Sequence, residues 1–131
     1  MSPYLCDTSI LIEYLRGNAT IKQRLERDGF DALSMSSITV MELFVGAFNK
    51  RELASIKKAF RDIRIIDIDN SISRRATELI ELFSKSHNLL IPDALIAATA
   101  LVSDVPLYTL NVSDFRFIPG IRLVDTDSAS A

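Results

Sequence analysis

The chain has 131 residues, 48% of them hydrophobic, and carries 15 Lys and Arg against 17 Asp and Glu, a formal net charge of −2. That length suits one substantial core, and the near balance of charge excludes a chain drawn to nucleic acid or a membrane by bulk charge alone. No apolar run is long enough to cross a bilayer and "MSPYLCDTS" lacks the basic-then-apolar order of an export signal, so a soluble cytoplasmic protein without a membrane partner is expected; Cys6, the one cysteine, has no partner for an internal disulfide.

In chain order, Tyr4–Cys6 reads as a short strand, followed by an amphipathic helix with the stripe Ile10, Leu11, Tyr14 and Leu15. Asp7 stands at the junction, where an acid commonly does no more than cap the helix. A shorter stripe, Ile21 and Leu25, precedes a second strand at Ala32–Met35. In "SSITVMELFVGAF" the helical neighbours of Glu42 are Thr39, Ile38, Val45 and Gly46. None is basic, so Glu42 is expected to point inward or into a cleft, with Gly46 permitting close approach of another segment. The next helix carries Leu53, Ile56 and Phe60, and "NKRELASIKKAFRDIR" gathers Lys50, Arg51, Lys57, Lys58, Arg61 and Arg64 around it, with Arg74 and Arg75 beginning the helix after. Such a run is ordinarily a solvated face. A phosphate clamp made by two or three of these residues is the sharper expectation, and Arg16 is a separate candidate.

A third strand at Arg64–Ile68 leads to the clearest stripe, Ile72, Ala76, Leu79, Ile80 and Phe83, with His87 expected on the surface near that helix's C-terminus. "IPDALIAATA", Ile91 to Ala100, then has no polar face beyond its start, so this helix should be buried nearly all round and Asp93 should end inside the protein or in a cleft. A lone carboxylate there is costly without compensation. A strand at Leu107–Thr109 feeds a loop holding Asn111 and Asp114, and a fifth strand is expected at Arg122–Val124. Residues 1–124 are read as a single domain and 125–131 as a flexible tail.

Strands alternating with helices argue for an α/β domain with a mainly parallel sheet, whose ligand site lies beyond the carboxyl ends of the strands. Asp7, Glu42, Asp93 and Asp114 can all be placed at that end, where they would repel one another. A hard cation such as Mg²⁺ or Mn²⁺, held by oxygens, resolves the conflict. Cys6 and His87 are isolated and make no zinc signature.

Four segments, "CDTSILIEYLRG", "ITVMELFVGA", "IPDALIAATAL" and "LYTLNVSDFRFIPGIRLV", together resemble the motifs of the PIN-domain ribonucleases, particularly the VapC-like toxins of toxin–antitoxin modules; the match spans nearly the whole chain in order and spacing. The resemblance implies a PIN-like three-layer fold with a central five-stranded sheet. It also implies a Mg²⁺- or Mn²⁺-dependent endoribonuclease leaving 5′-phosphate and 3′-hydroxyl ends, a growth-inhibiting toxin neutralised by a cognate antitoxin. By the same resemblance Asp7, Glu42 and Asp93 form the acidic triad and Asp114 the fourth acidic position, which Asn111 could share or replace. Thr8, Ser9, Thr109 and Asn111 take supporting positions. Setting the four acids aside changes the formal charge from −2 to +2, which eases the conflict with an RNA substrate. A homodimer is implied too, with an antitoxin groove between the apolar segments Ile38–Phe48 and Leu53–Phe60. Two rivals stand beside this reading. A phosphoacceptor receiver domain would need adjacent acids after the first strand, where Asp7 stands alone. A non-catalytic PIN-fold module binding RNA or a protein partner would keep the fold without the chemistry.

Overall fold

The computed structural model describes residues 4–125, so the tail expected over 125–131 lies, apart from Asp125, outside the described residues. Strand β1 is Leu5–Cys6, β2 Ser34–Ser36, β3 Arg64–Ile66 and β4 Leu107–Tyr108. They form one parallel sheet in the order β3-β2-β1-β4, with Leu5 beside both Ser34 and Leu107, and Met35 beside Ile65. Parallel neighbours need crossovers, and helices supply them: α1 (Thr8–Leu15), α2 (Ala19–Asp28), α3 (Ser37–Val45), α4 (Lys50–Ala59), α5 (Asn70–Phe83) and α6 (Ile91–Ser103).

The strands are shorter than the apolar pattern predicts, and the causes are local. Gly29, at φ +85°, ends α2 and lets Phe30–Ala32 close a 3-10 turn, so β2 starts at Ser34 rather than Ala32. The expected fifth strand is reduced to one parallel bridge, Leu123 opposite Leu107, with Leu107 N–H donating to the Arg122 carbonyl at 2.8 Å and Val124 N–H to the Leu107 carbonyl at 2.9 Å. The next residue with groups on that edge is Thr109, which has left the sheet to reach Asp7.

Alternation along the strands sorts the core onto two faces. Tyr4, Cys6, Leu33, Met35 and Tyr108 pack with α1 to α4, whereas Leu5 and Leu107 pack with α5 and α6, giving a three-layer arrangement. In α6 Ala94, Ile96, Ala97, Ala98, Thr99 and Ala100 are all buried, as its lack of a polar face requires. Leu89 N–H still donates to the Phe83 carbonyl (3.3 Å), so α5 and α6 form a tight hairpin. Among the described residues no helix is long and apolar enough to cross a membrane.

Candidate active site

Four helices are capped by their own side chains: Asn18, Ser36, Asn49 and Asp69 each accept a backbone N–H at the start of α2, α3, α4 and α5. Asp7 occupies the same position on α1 and makes no such bond. Its side chain is only 4% exposed and is used elsewhere: Oδ2 accepts from Ser9 Oγ at 2.8 Å and from Thr109 Oγ1 at 2.7 Å. Each hydroxyl accepts a backbone N–H in turn, Leu110 onto Ser9 (3.2 Å) and Asn111 onto Thr109 (2.9 Å), which directs the hydroxyl hydrogens at the carboxylate. Both bonds fall on one oxygen. No buried side-chain oxygen lacks a partner among the described residues, so the other oxygen of Asp7 opens to solvent.

Glu42 projects from α3, half-buried, and accepts from Thr8 Oγ1 at 2.7 Å. Thr8 Oγ1 is also 3.1 Å from Thr39 Oγ1, and with its single hydrogen on the carboxylate, the stronger acceptor, Thr39 supplies the hydrogen of that contact. Thr39 is fully buried and is a positioning residue that the sequence reading did not single out, although it lies three residues before Glu42 on the same helix face. Gly46 serves no close approach of another segment, since the nearest atoms to a side chain there would be the carbonyls of Glu42 and Leu43 in its own helix.

Asp93 is the third residue of α6, and its carboxyl is pushed up to about 6, first by burial and then by the charges of Asp7, Asp114 and Glu42. An acid in the first turn of a helix should be favoured in its charged form by the macrodipole. The shift of Asp93 runs the other way, driven by loss of water first and by crowding of like charge second. The four carboxylates thus meet at the carboxyl ends of β1, β2 and β4, and among the described residues none of them forms an ion pair with Lys, Arg or His. They do not close around a single point: no three acids, cysteines or histidines among the described residues are drawn together as a preformed metal cage. Asp114 stands exposed in the 3-10 turn Val112–Asp114, whereas Asn111 takes part through its backbone N–H.

None of the basic candidates forms an ion pair with the four acids among the described residues, although Arg16 and Glu42 line the same groove. Lys50, Arg51, Lys57, Lys58 and Arg61 are exposed on or just beyond α4 and form no ion pair among the described residues, while Arg16 is tied to Glu13 at 3.0 Å. A cavity of about 560 Å³ near the amino ends of the strands, lined by Arg24, Arg27 and Arg122, is chemically different. Its carboxylate, Asp28, is bonded by Tyr4, Arg24 and Arg27, so its charge is already matched.

The sequence pattern of the PIN domain family matches residues 4–117, and the chain belongs to that family. It is 34% identical over 122 residues to "Ribonuclease VapC10" of Mycobacterium tuberculosis, covering 90% of each chain. Among solved structures it is similar to a toxin-antitoxin complex from Klebsiella pneumoniae, with 36% identity, TM-score 0.75 and coverage of 90% of this chain and 94% of that one. It is also similar to a DNA-bound VapBC from Salmonella typhimurium, with 27% identity, TM-score 0.84 and coverage of 95% and 98%.

Proposed function

We propose that this chain is a divalent-metal-dependent endoribonuclease acting as a toxin held in check by an antitoxin. The observation that carries the reading is the gathering of four carboxylates with no ion pair among the described residues, in which burial first and then the charges of Asp7, Asp114 and Glu42 raise Asp93 to about 6. The donor set is all oxygen, it includes a solvent-facing oxygen on an otherwise anchored Asp7, and it has no cation of its own; this fits Mg²⁺ or Mn²⁺, which keep several waters when bound. Asp7, Glu42, Asp93 and Asp114 would hold the ion. Bound there, it would shield the scissile phosphate from the acids and make an attacking water easier to deprotonate. Ser9 and Thr109 hold Asp7 in one rotamer, and Thr8 with Thr39 holds Glu42, so the acids keep their places while RNA enters. No observation favours a non-catalytic module, which would gain nothing from four uncompensated acids.

A groove of about 660 Å³ between α1, α3 and α4 supports the antitoxin reading. Ile12, Leu15, Leu43 and Ile56 line it, Glu42 lies at its side, and Met41, Val45 and Phe48 are exposed on the helix and loop nearby. An amphipathic segment would bury these apolar groups while covering the acids. We extend the same reading to a homodimer and to residues 1–124 as one domain, the latter because both core faces share one sheet.

The test is incubation of the pure protein with structured RNA. Cleavage is expected with Mg²⁺ or Mn²⁺ and is lost in EDTA and in Asp93→Asn; a folded wild type that cleaves no RNA with either ion overturns the proposal.

A further inference from the structure

The loop joining α5 to α6 carries an aromatic arrangement that the four-acid site does not explain. His87, exposed, lies flat on Phe117, with ring centroids 4.2 Å apart and planes 14° from parallel. Phe83 meets both rings edge-on, at 5.5 Å and 5.2 Å. Ser86 Oγ sits 2.8 Å from His87 Nδ1. An exposed imidazole is normally free to turn. This one is held on one face by Phe117, at its edge by Phe83 and at one nitrogen by Ser86, and it presents its other face outward.

Both halves of the stack lie a short stretch of chain from an acid. Leu89 N–H is bonded to the Phe83 carbonyl, and four residues lead from Leu89 to Asp93, a reach of at most about 14 Å. Phe117 follows Asp114 within one compact turn, in which Arg116 N–H donates to the Val112 carbonyl (2.9 Å) and Ile118 N–H to that of Phe115 (3.0 Å). Lys85 and Arg116 stand next to the stack in sequence, two residues before His87 and one before Phe117, both exposed and neither in an ion pair among the described residues. A fixed aromatic face with unpaired cations beside it is the chemistry that holds single-stranded nucleic acid, the ring taking a base and the cations the phosphates.

We propose that the outward face of His87, backed by Phe117 and Phe83, is the stacking platform for an unpaired base of the RNA close to the scissile phosphate, with Lys85 and Arg116 holding the adjoining phosphates. This rests on the ribonuclease reading and adds to it where the strand lies: along the α5–α6 loop, with the basic face of α4 left to other work. It makes the preferred substrate an RNA whose bases are splayed out of a helix near the cut.

The test uses short single-stranded RNAs carrying the fluorescent base 2-aminopurine at successive positions, bound to the Asp93→Asn protein in Mg²⁺, with cleavage by the otherwise wild-type enzyme measured in parallel. Stacking on His87 quenches the probe at one position. His87→Ala removes that quench and raises KM about tenfold with kcat within about twofold, and His87→Tyr restores both. Phe117→Leu, which keeps the loop apolar, weakens the quench less than His87→Ala does. Quenching and KM unchanged in His87→Ala overturn the platform while leaving the ribonuclease reading in place. Position-specific, His87-dependent quenching by a protein that never cleaves supports the platform and overturns the ribonuclease reading.

Discussion

Asp93 separates a capping acid from a working one because its environment acts against the helix it starts. Its carboxyl stands at about 6 against an ordinary 3.8, the largest cause being burial and the next the charge of Asp7. The folded metal-free protein therefore binds a proton at Asp93 more tightly than the unfolded chain does. This contribution to stability is fully present below about pH 4 and is lost as the pH rises through about 6. Asp93→Asn removes the penalty at nearly constant volume. In EDTA the variant should exceed wild type at pH 7 by about 1–2 kcal/mol, a figure reduced for the side chain's partial exposure, and the difference should vanish by pH 4. Urea unfolding of both proteins between pH 4 and 8 measures it. A wild type that gains stability relative to the variant across that range would return Asp93 to the role of a dipole-stabilised first-turn acid.

At the scale of elements, α3 works on two sides. Thr39 and Glu42 turn toward the acids, while Met41 and Val45, 54% and 86% exposed, turn outward on a face that does not line the groove, followed by Phe48 at 87%. An aspartate at Val45 or Phe48 touches nothing buried, so Val45→Asp and Phe48→Asp should change stability by no more than about 0.5 kcal/mol. The same changes should weaken antitoxin binding at least about tenfold, seen as loss of co-purification and as ribonuclease activity that the antitoxin no longer suppresses. Unaltered antitoxin binding in both would move the docking surface away from α3. Elements of this kind were legible in the sequence, because the stripes on α1, α4 and α5 and the all-apolar α6 are written in 3.6-residue periodicity. The strands were legible in place but not in extent. With two or three residues each they carry too little alternation to mark their ends, which the Phe30–Ala32 turn and the departure of Thr109 decide. The positions of the four acids followed from the rule that function gathers at strand ends. Thr39 and the His87–Phe117 stack did not follow: one depends on a hydroxyl from a different helix, and the other joins residues 30 positions apart through a loop whose path no periodicity encodes.

Taken as a whole, the molecule has a net charge of −2 at formal count and concentrates repulsion at one place. A cation at that place binds the native state and not the unfolded chain, so it adds stability by mass action, about 2.7 kcal/mol when its concentration is a hundredfold above the dissociation constant. For a chain of this size that corresponds to a rise in melting temperature on the order of 10 °C. Wild type should show the rise with Mn²⁺ or Mg²⁺ over EDTA, and Asp7→Asn, Glu42→Gln, Asp93→Asn and Asp114→Asn should each lose most of it. Asp69 supplies the contrast from within the same chain: it caps α5, accepting from Ile72 N–H at 2.9 Å. Asp69→Ala should therefore lower stability by about 1 kcal/mol with and without metal, leaving the response to metal intact. The two acids stand at matching positions, each just before a helix, and the melts distinguish them by opposite behaviour: Asp69 matters to the fold and is indifferent to the ion, whereas Asp7 matters through the ion. An Asp7→Asn protein that keeps the full metal response while Asp69→Ala loses it would place the cation elsewhere and remove the site from the carboxyl ends of the strands.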